Sequence, residues 1–208
     1  MYKIVDNFLS PIQYKMLKAH VFSARTQWTF MKNVTNNVNI ESNHIQDSWR
    51  PGLSRSIYML EGLTESNEGM DDIHDDTLWN LIQPLVNHDL GLVMRAKLGF
   101  MFGCVNEDFQ IHNAHVDWNE PHITQLYYVT DSVAPTYLYK EKQTEPNTQE
   151  NFRVPAHEDL TIMHKCEHKA NSCLFFDGSH YHASTSSLKP EIRINININY
   201  ATETPSQF

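Results

Sequence analysis

The chain has 208 residues, 40% of them apolar and 20% charged, and a formal net charge of −9; this is a folded globular composition with enough apolar material for one core. The acidic balance argues against nucleic acid as the main partner, because nonspecific binding needs many Lys and Arg against phosphates. No apolar run reaches membrane-spanning length and the start, MYKIVDNFLS, lacks the layout of a signal peptide, while Cys104, Cys166 and Cys173 form no disulfide framework, so a cytoplasmic protein with no membrane partner is expected.

In chain order, Tyr2 to Val5 reads as a short strand. Ser10-Pro11-Ile12-Gln13 reads as a helix start, with Ser10 as N-cap, Pro11 at the first helical position and Gln13 closing a capping box. That helix should run to about Phe22 and bury Ile12, Leu17 and Val21. Residues 31 to 52 are rich in Asn, Ser and Asp and read as irregular. Arg55 to Leu60 reads as a strand. Asp75 to His88 carries Leu78, Trp79, Ile82, Leu85 and Val86 at helical spacing, with Pro84 as a kink and Gly91 as a stop. From Leu92 the pattern is β: Leu92 to Cys104, Phe109 to Val116, Ile123 to Thr130, Thr136 to Tyr139, Leu160 to His164 and Ser172 to Phe176. Residues 140 to 151 are polar and turn-rich. The last segment, EIRINININY (Glu191 to Tyr200), alternates strictly.

Helices first and about eight short strands after them predict an α+β fold. The expected architecture is a double-stranded β-helix, or jelly-roll, barrel with the N-terminal helices packed on one sheet. A single domain spans 1–208, with helical support to about 91 and the barrel core over about 92–200. If the helices cover Ile192, Ile194, Ile196 and Ile198, then Arg193, Asn195, Asn197 and Asn199 face the barrel interior. Such a row is costly unless it is paired or lines a polar cavity.

The stretch HVDWNEPHITQLYYV, residues 115 to 129, places His115 and Asp117 two positions apart, so on a strand both side chains project to one face. A third ligand is available further on, in FFDGSHYHASTSS, from His180 or His182. Two histidines and one carboxylate cover one face of an octahedral ion and leave the opposite positions open, as in non-haem Fe(II) oxygenases. Arg193, facing inward, would bind a carboxylate through two parallel hydrogen bonds.

These residues resemble the 2-oxoglutarate- and Fe(II)-dependent dioxygenases, in their prolyl-hydroxylase-like branch. The resemblance rests on His115-Val116-Asp117, the strand ITQLYYV, His182, Arg193 eleven residues later, and the opening YKIVDNFLSPIQ. It implies that His115, Asp117 and His182 hold Fe(II), with His182 preferred over His180 by the spacing to Arg193. It also implies that Arg193 and Tyr128 bind the distal carboxylate of 2-oxoglutarate, with Thr136 and Ser184 as further candidates. The implied reaction is a hydroxylation that releases succinate and CO2. The substrate would be a protein or peptide, a peptidyl proline in the first place, or a free amino acid or other small molecule. A non-catalytic cupin-like module that binds a metal or sugar is the alternative from another class, and Arg193 speaks against it. Residues 31–52 and 140–151 are expected to rim the site. Trp118 is expected near the substrate, His112 and His122 at the rim or surface, and His164 to His168 in a solvated turn.

Overall fold

The computed structural model describes residues 2–31, 52–60, 75–103, 111–146, 155–187 and 189–203. In chain order these form β1 (Tyr2–Val5), α1 (Pro11–Val21), β2 (Thr29–Met31), β3 (Gly52–Met59), α2 (Asp76–Ile82), β4 (Leu92–Phe102), β5 (His122–Tyr128), β6 (Ser132–Lys142), β7 (Ile162–His168), β8 (Ser172–Asp177), β9 (His180–Ser184) and β10 (Ile192–Ala201). Helix α1 begins as its sequence demands. The Ser10 side chain accepts from the Gln13 amide and the Gln13 side chain accepts from the Ser10 amide. Leu17 and Val21 are buried, whereas Ile12, in the first turn, is 69% exposed rather than buried as expected. Asp75 caps α2 through the Leu78 amide. The α-helix stops at Ile82, earlier than the expected His88, where Pro84 removes a donor and the chain tightens into 3₁₀ turns at Gln83–Leu85 and His88–Leu90. Among the described residues no helix is long and apolar enough to cross a membrane.

Two antiparallel sheets follow from the β segments: β1-β8-β5-β10-β4-β3-β2 and β7-β6-β9. This is the jelly-roll arrangement expected from the element order. Strand β10 sits in the middle of the larger sheet, between β5 and β4. Its Ile194, Ile196 and Ile198 are fully buried in one cluster with Leu17 and Val21 of α1 and Leu78 and Ile82 of α2. Its other face looks toward the smaller sheet. There Leu126 and Tyr128 of β5 and Leu174 and Phe176 of β8 pack against Leu138 of β6 and Cys166 of β7. The segment expected as a strand over Phe109 to Val116 differs. Its first residues lie outside the described ones, and 111–116 make only two isolated bridges, Ile111 to Thr185 and His115 to His182. Of the expected rim segments, 32–51 lies outside the described residues; in 140–151, residues 140–142 continue strand β6 instead of forming a turn, and 147–151 lie outside the described residues.

The N-terminus is tied to the sheet by Asn171, in the turn between β7 and β8. It adopts φ 59°, a conformation Asn tolerates better than other side chains. Its side chain accepts from the Leu9 amide (3.0 Å) and the Tyr127 hydroxyl (2.9 Å) and donates to the Leu9 carbonyl (2.9 Å). Replacing Asn171 by Ala removes all three bonds, orphans a buried hydroxyl and adds left-handed strain. The expected loss is about 2–4 kcal/mol in urea unfolding. Asn171→Gly, which removes the strain alone, should recover part of it, and equal stability of all three proteins would contradict this account.

Candidate metal centre

His115 and His182 come together through backbone pairing. The His115 amide donates to the His182 carbonyl and the His182 amide to the His115 carbonyl, both at 3.0 Å. A pair bonded in this way directs both side chains to the same face, and the two ring centroids are 4.5 Å apart. Asp117, two residues beyond His115, completes the group. One ligand atom from each of the three lies within 4.8 Å of the others. His115 Nε2 is 4.0 Å from Asp117 Oδ1, and His182 Nε2 is 3.9 Å from Asp117 Oδ2.

The donor chemistry fits a divalent metal. Nδ1 of His115 meets the Asn113 carbonyl at 3.0 Å and Nδ1 of His182 meets the His180 carbonyl at 3.4 Å. A carbonyl only accepts, so each ring carries a proton on Nδ1 and turns its Nε2 toward Asp117. Burial, aided by the neighbouring His115, lowers the His182 pKa to about 3, although Asp117 pulls the other way; the ring is neutral near pH 7. Burial alone would raise the Asp117 carboxyl. The His182 imidazole and the Arg95 guanidinium outweigh it and hold Asp117 well below the usual carboxylate range. Arg95 Nη2 donates to Asp117 Oδ1 at 3.2 Å. Asp117 Oδ2 accepts from Asn199 Nδ2 (2.9 Å), Asn197 Nδ2 (3.1 Å) and Thr124 Oγ1 (3.3 Å).

Arg193 lies on the same face of β10, only 2% exposed. Its Nη2 donates to Thr136 Oγ1 of β6 (2.7 Å), and its Nη1 lies 3.8 Å from the Met101 sulfur. Its Nε is buried without a partner, and among the described residues no carboxylate pairs with the side chain. Burial lowers its pKa to about 10, so it stays cationic near neutrality. The Tyr128 hydroxyl donates to the same Thr136 oxygen at 3.0 Å, and burial keeps it protonated by raising its pKa well above the usual value. Tyr127 points the other way, into the helix-side core. Ser184 reaches Arg193 only through the Met101 sulfur (3.7 Å).

His182 is the histidine brought to His115 and Asp117; His180 turns its Nδ1 to the Tyr139 carbonyl instead. Three expectations fail. His112 is buried, held between Ser184 Oγ (2.8 Å) and Ser186 Oγ (2.7 Å), and His122 is fully buried. Residues 164–168 belong to strand β7, with Cys166 and His168 facing inward, and the His168 ring lies 4.3 Å from that of Tyr128. Burial and the nearby Arg193 hold His168 well below the usual imidazole pKa. Arg95 and Thr124 were not anticipated. Only the pairing of Arg95 with Asn199 across β4 and β10 brings that arginine to Asp117.

No family model and no curated protein sequence matches the chain. Solved structures do. The chain is similar to the non-haem alpha-ketoglutarate-dependent epimerase SnoN of nogalamycin biosynthesis (TM-score 0.56, 13% identity, 98% of this chain and 79% of that one). It is similar to HygX from Streptomyces hygroscopicus, solved with nickel and 2-oxoglutarate bound (0.54, 9%, 100% and 84%). It is also similar to a prolyl hydroxylase from Trichoplax adhaerens in complex with a peptide fragment of hypoxia inducible factor (0.53, 16%, 97% and 84%). The fold is therefore the one these structures share.

The buried neutral imidazoles generate a pH test. An unfolded His takes up its proton near pH 6.5, whereas His182, His168 and His180 resist it in the fold. Their folded pKa values are depressed, so stability is present above about pH 6.5 and is lost as pH falls below it. Unfolding of the metal-free protein should cost up to ~1.4 kcal/mol less per pH unit for each such group. His182→Gln should flatten the slope between about pH 6.5 and 4. A stability independent of pH across that range would contradict the assignment.

Proposed function

We propose that the chain is an Fe(II)- and 2-oxoglutarate-dependent oxygenase that hydroxylates a protein or peptide substrate, a peptidyl proline being the first to test. The observation that carries this reading is the pairing of two features between the two sheets. One is a group of two imidazoles and a carboxylate. The other is a buried arginine that no described carboxylate neutralises. The first suits an ion that needs open coordination positions. The second suits the far end of a dicarboxylate.

His115, Asp117 and His182 would hold the iron, and Arg193 would take the distal carboxylate of 2-oxoglutarate. With both groups bound, such a centre would supply oxidative decarboxylation of the keto acid by dioxygen, one oxygen atom ending in succinate as CO2 leaves and the other hydroxylating a substrate C–H bond. The chain's own residues orient and shield. Thr136 receives both the Arg193 guanidinium and the Tyr128 hydroxyl, so the two groups are fixed relative to each other before a ligand arrives. If Thr136 turns its own proton to the carboxylate, that end is held by a cation and a hydroxyl together. Phe176, whose ring stands edge-on to His182 at 5.0 Å, keeps water from the inner side of the imidazole.

The fold likeness supports the class, because SnoN, HygX and the Trichoplax enzyme are described as acting with, or binding, 2-oxoglutarate or as a prolyl hydroxylase. The preference for a peptidyl proline rests on the prolyl-hydroxylase-like opening YKIVDNFLSPIQ, whose capped helix is present. A cupin-like binding module has no use for a buried cation beside the metal group.

A succinate-release screen over proline-containing peptides and free amino acids, with Fe(II) and 2-oxoglutarate supplied, tests the reading. Asp117→Ala should abolish turnover by removing the anionic ligand. Arg193→Ala should raise the 2-oxoglutarate concentration for half-maximal turnover by roughly 10–100-fold, the value of hydrogen bonds to a charged group. An unchanged requirement would remove Arg193 from the cosubstrate site. Anaerobic Fe(II) plus 2-oxoglutarate should give a weak visible charge-transfer band, absent for a simple metal-binding module.

A further inference from the structure

We propose that Arg95 is a positioning residue for the metal-binding carboxylate, holding Asp117 in the orientation that faces its two oxygens to the histidines. The proposal rests on reading His115, Asp117 and His182 as metal ligands. Three side chains form a closed ring. Arg95 Nη2 donates to Asp117 Oδ1 (3.2 Å), Arg95 Nε donates to Asn199 Oδ1 (3.1 Å), and Asn199 Nδ2 donates to Asp117 Oδ2 (2.9 Å). A carboxylate gripped at both oxygens cannot turn about its Cβ–Cγ bond. In that orientation Oδ1 lies 4.0 Å from His115 Nε2 and Oδ2 lies 3.9 Å from His182 Nε2.

Two further observations show that the backbone and the neighbouring ring direct Arg95 to this place. The ladder between β4 and β10 slips beside it: Asn199 pairs with Arg95 but Tyr200 pairs with Val93, which leaves Met94 bulged. The ladder between β3 and β4 slips on the other side, where Ile57 is passed over between Ser56 and Tyr58. Bulges re-aim a side chain, and here both ladders of β4 slip within two residues of Arg95. Beneath the guanidinium lies the Trp118 ring, 5.3 Å from Arg95 Cζ, which fixes the plane of the fork. Arg95 and Asp117 side chains are 10% and 7% exposed, so solvent does not screen the pair. A lysine at this position carries the charge but has no fork to bind Asn199 and Asp117 at once.

The test is Ni(II) binding, followed by calorimetry on the full chain without 2-oxoglutarate; two imidazoles alone still hold this ion weakly. Arg95→Met should weaken Ni(II) binding by about 10–100-fold, the usual cost of losing a group that orients a ligand. Arg95→Lys should recover only part of the loss. In an Asp117→Asn background, Arg95→Met should change the affinity by less than about 3-fold, because its effect runs through the carboxylate. If Arg95→Met fails to fold, Asn199→Ser opens the same ring and carries the same expectation. The proposal is overturned if Arg95→Met binds Ni(II) as tightly as the wild type or more tightly, since charge relief would then outweigh orientation. It is equally overturned if the loss is the same with and without the Asp117 carboxylate. Failure of the wild type to bind Ni(II) overturns the metal reading itself, and this proposal with it.

Discussion

One buried carboxylate sets the terms for the inner face of the larger sheet. Asp117 sits beside two imidazoles with its side chain 7% exposed. An ionised carboxylate in that position is untenable alone. It is tolerable because four side chains from three strands donate to it: Arg95 from β4, Thr124 from β5, and Asn197 and Asn199 from β10. Those strands are hydrogen-bonded neighbours, so the register of the sheet and the satisfaction of one charge are the same requirement. A one-residue slip of β10 would turn Asn197 and Asn199 to the helices and Ile196 and Ile198 to the carboxylate.

That double demand explains the composition of β10. A central strand covered on both sides is usually apolar throughout. This one keeps isoleucine against α1 and α2 and gives its other face to hydrogen bonding. Arg193 and Asn199 serve different ends of that face, one near Thr136 and one near Asp117. The strand thus spans both halves of the proposed reaction site, and the distance between metal and carboxylate anchor is set by backbone repeat rather than by loop conformation.

Much of this was legible in residue order because period-two alternation survives any packing detail. EIRINININY announces its two faces, and His115-Val116-Asp117 announces two ligands on one side. What was not legible depends on contacts remote in sequence. In LVMRAKLGFMF the bulge at Met94 breaks the alternation, so nothing local says whether Arg95 faces solvent or Asp117. HKCEH, with Lys165, Glu167 and two histidines, looks solvated; only its place in β7, opposite Tyr128 and Arg193, buries His168. His112 and His122 look like rim groups for the same reason, and each is buried by a partner that a local pattern does not contain: Ser184 and Ser186 for the first, the close approach of Gly178 for the second.

The two inward arginines differ in what balances them, and the difference separates structure from function. Arg95 has its counter-ion built in, at 3.2 Å, and the pair contributes to a fixed geometry whether or not a ligand is present. Arg193 is as deeply buried, yet its described partners are a hydroxyl and a thioether, neither of which carries charge. Desolvating a guanidinium costs several kcal/mol unless an anion offsets it. A sequence selected for stability alone would place an apolar residue or a paired acid there. With no carboxylate beside it among the described residues, the cation leaves the ligand-free fold less stable than it needs to be, and a dianion that reached Thr136 and Arg193 would remove that deficit on binding. Under the proposed function, the same electrostatic cost would be the source of affinity for a doubly charged cosubstrate.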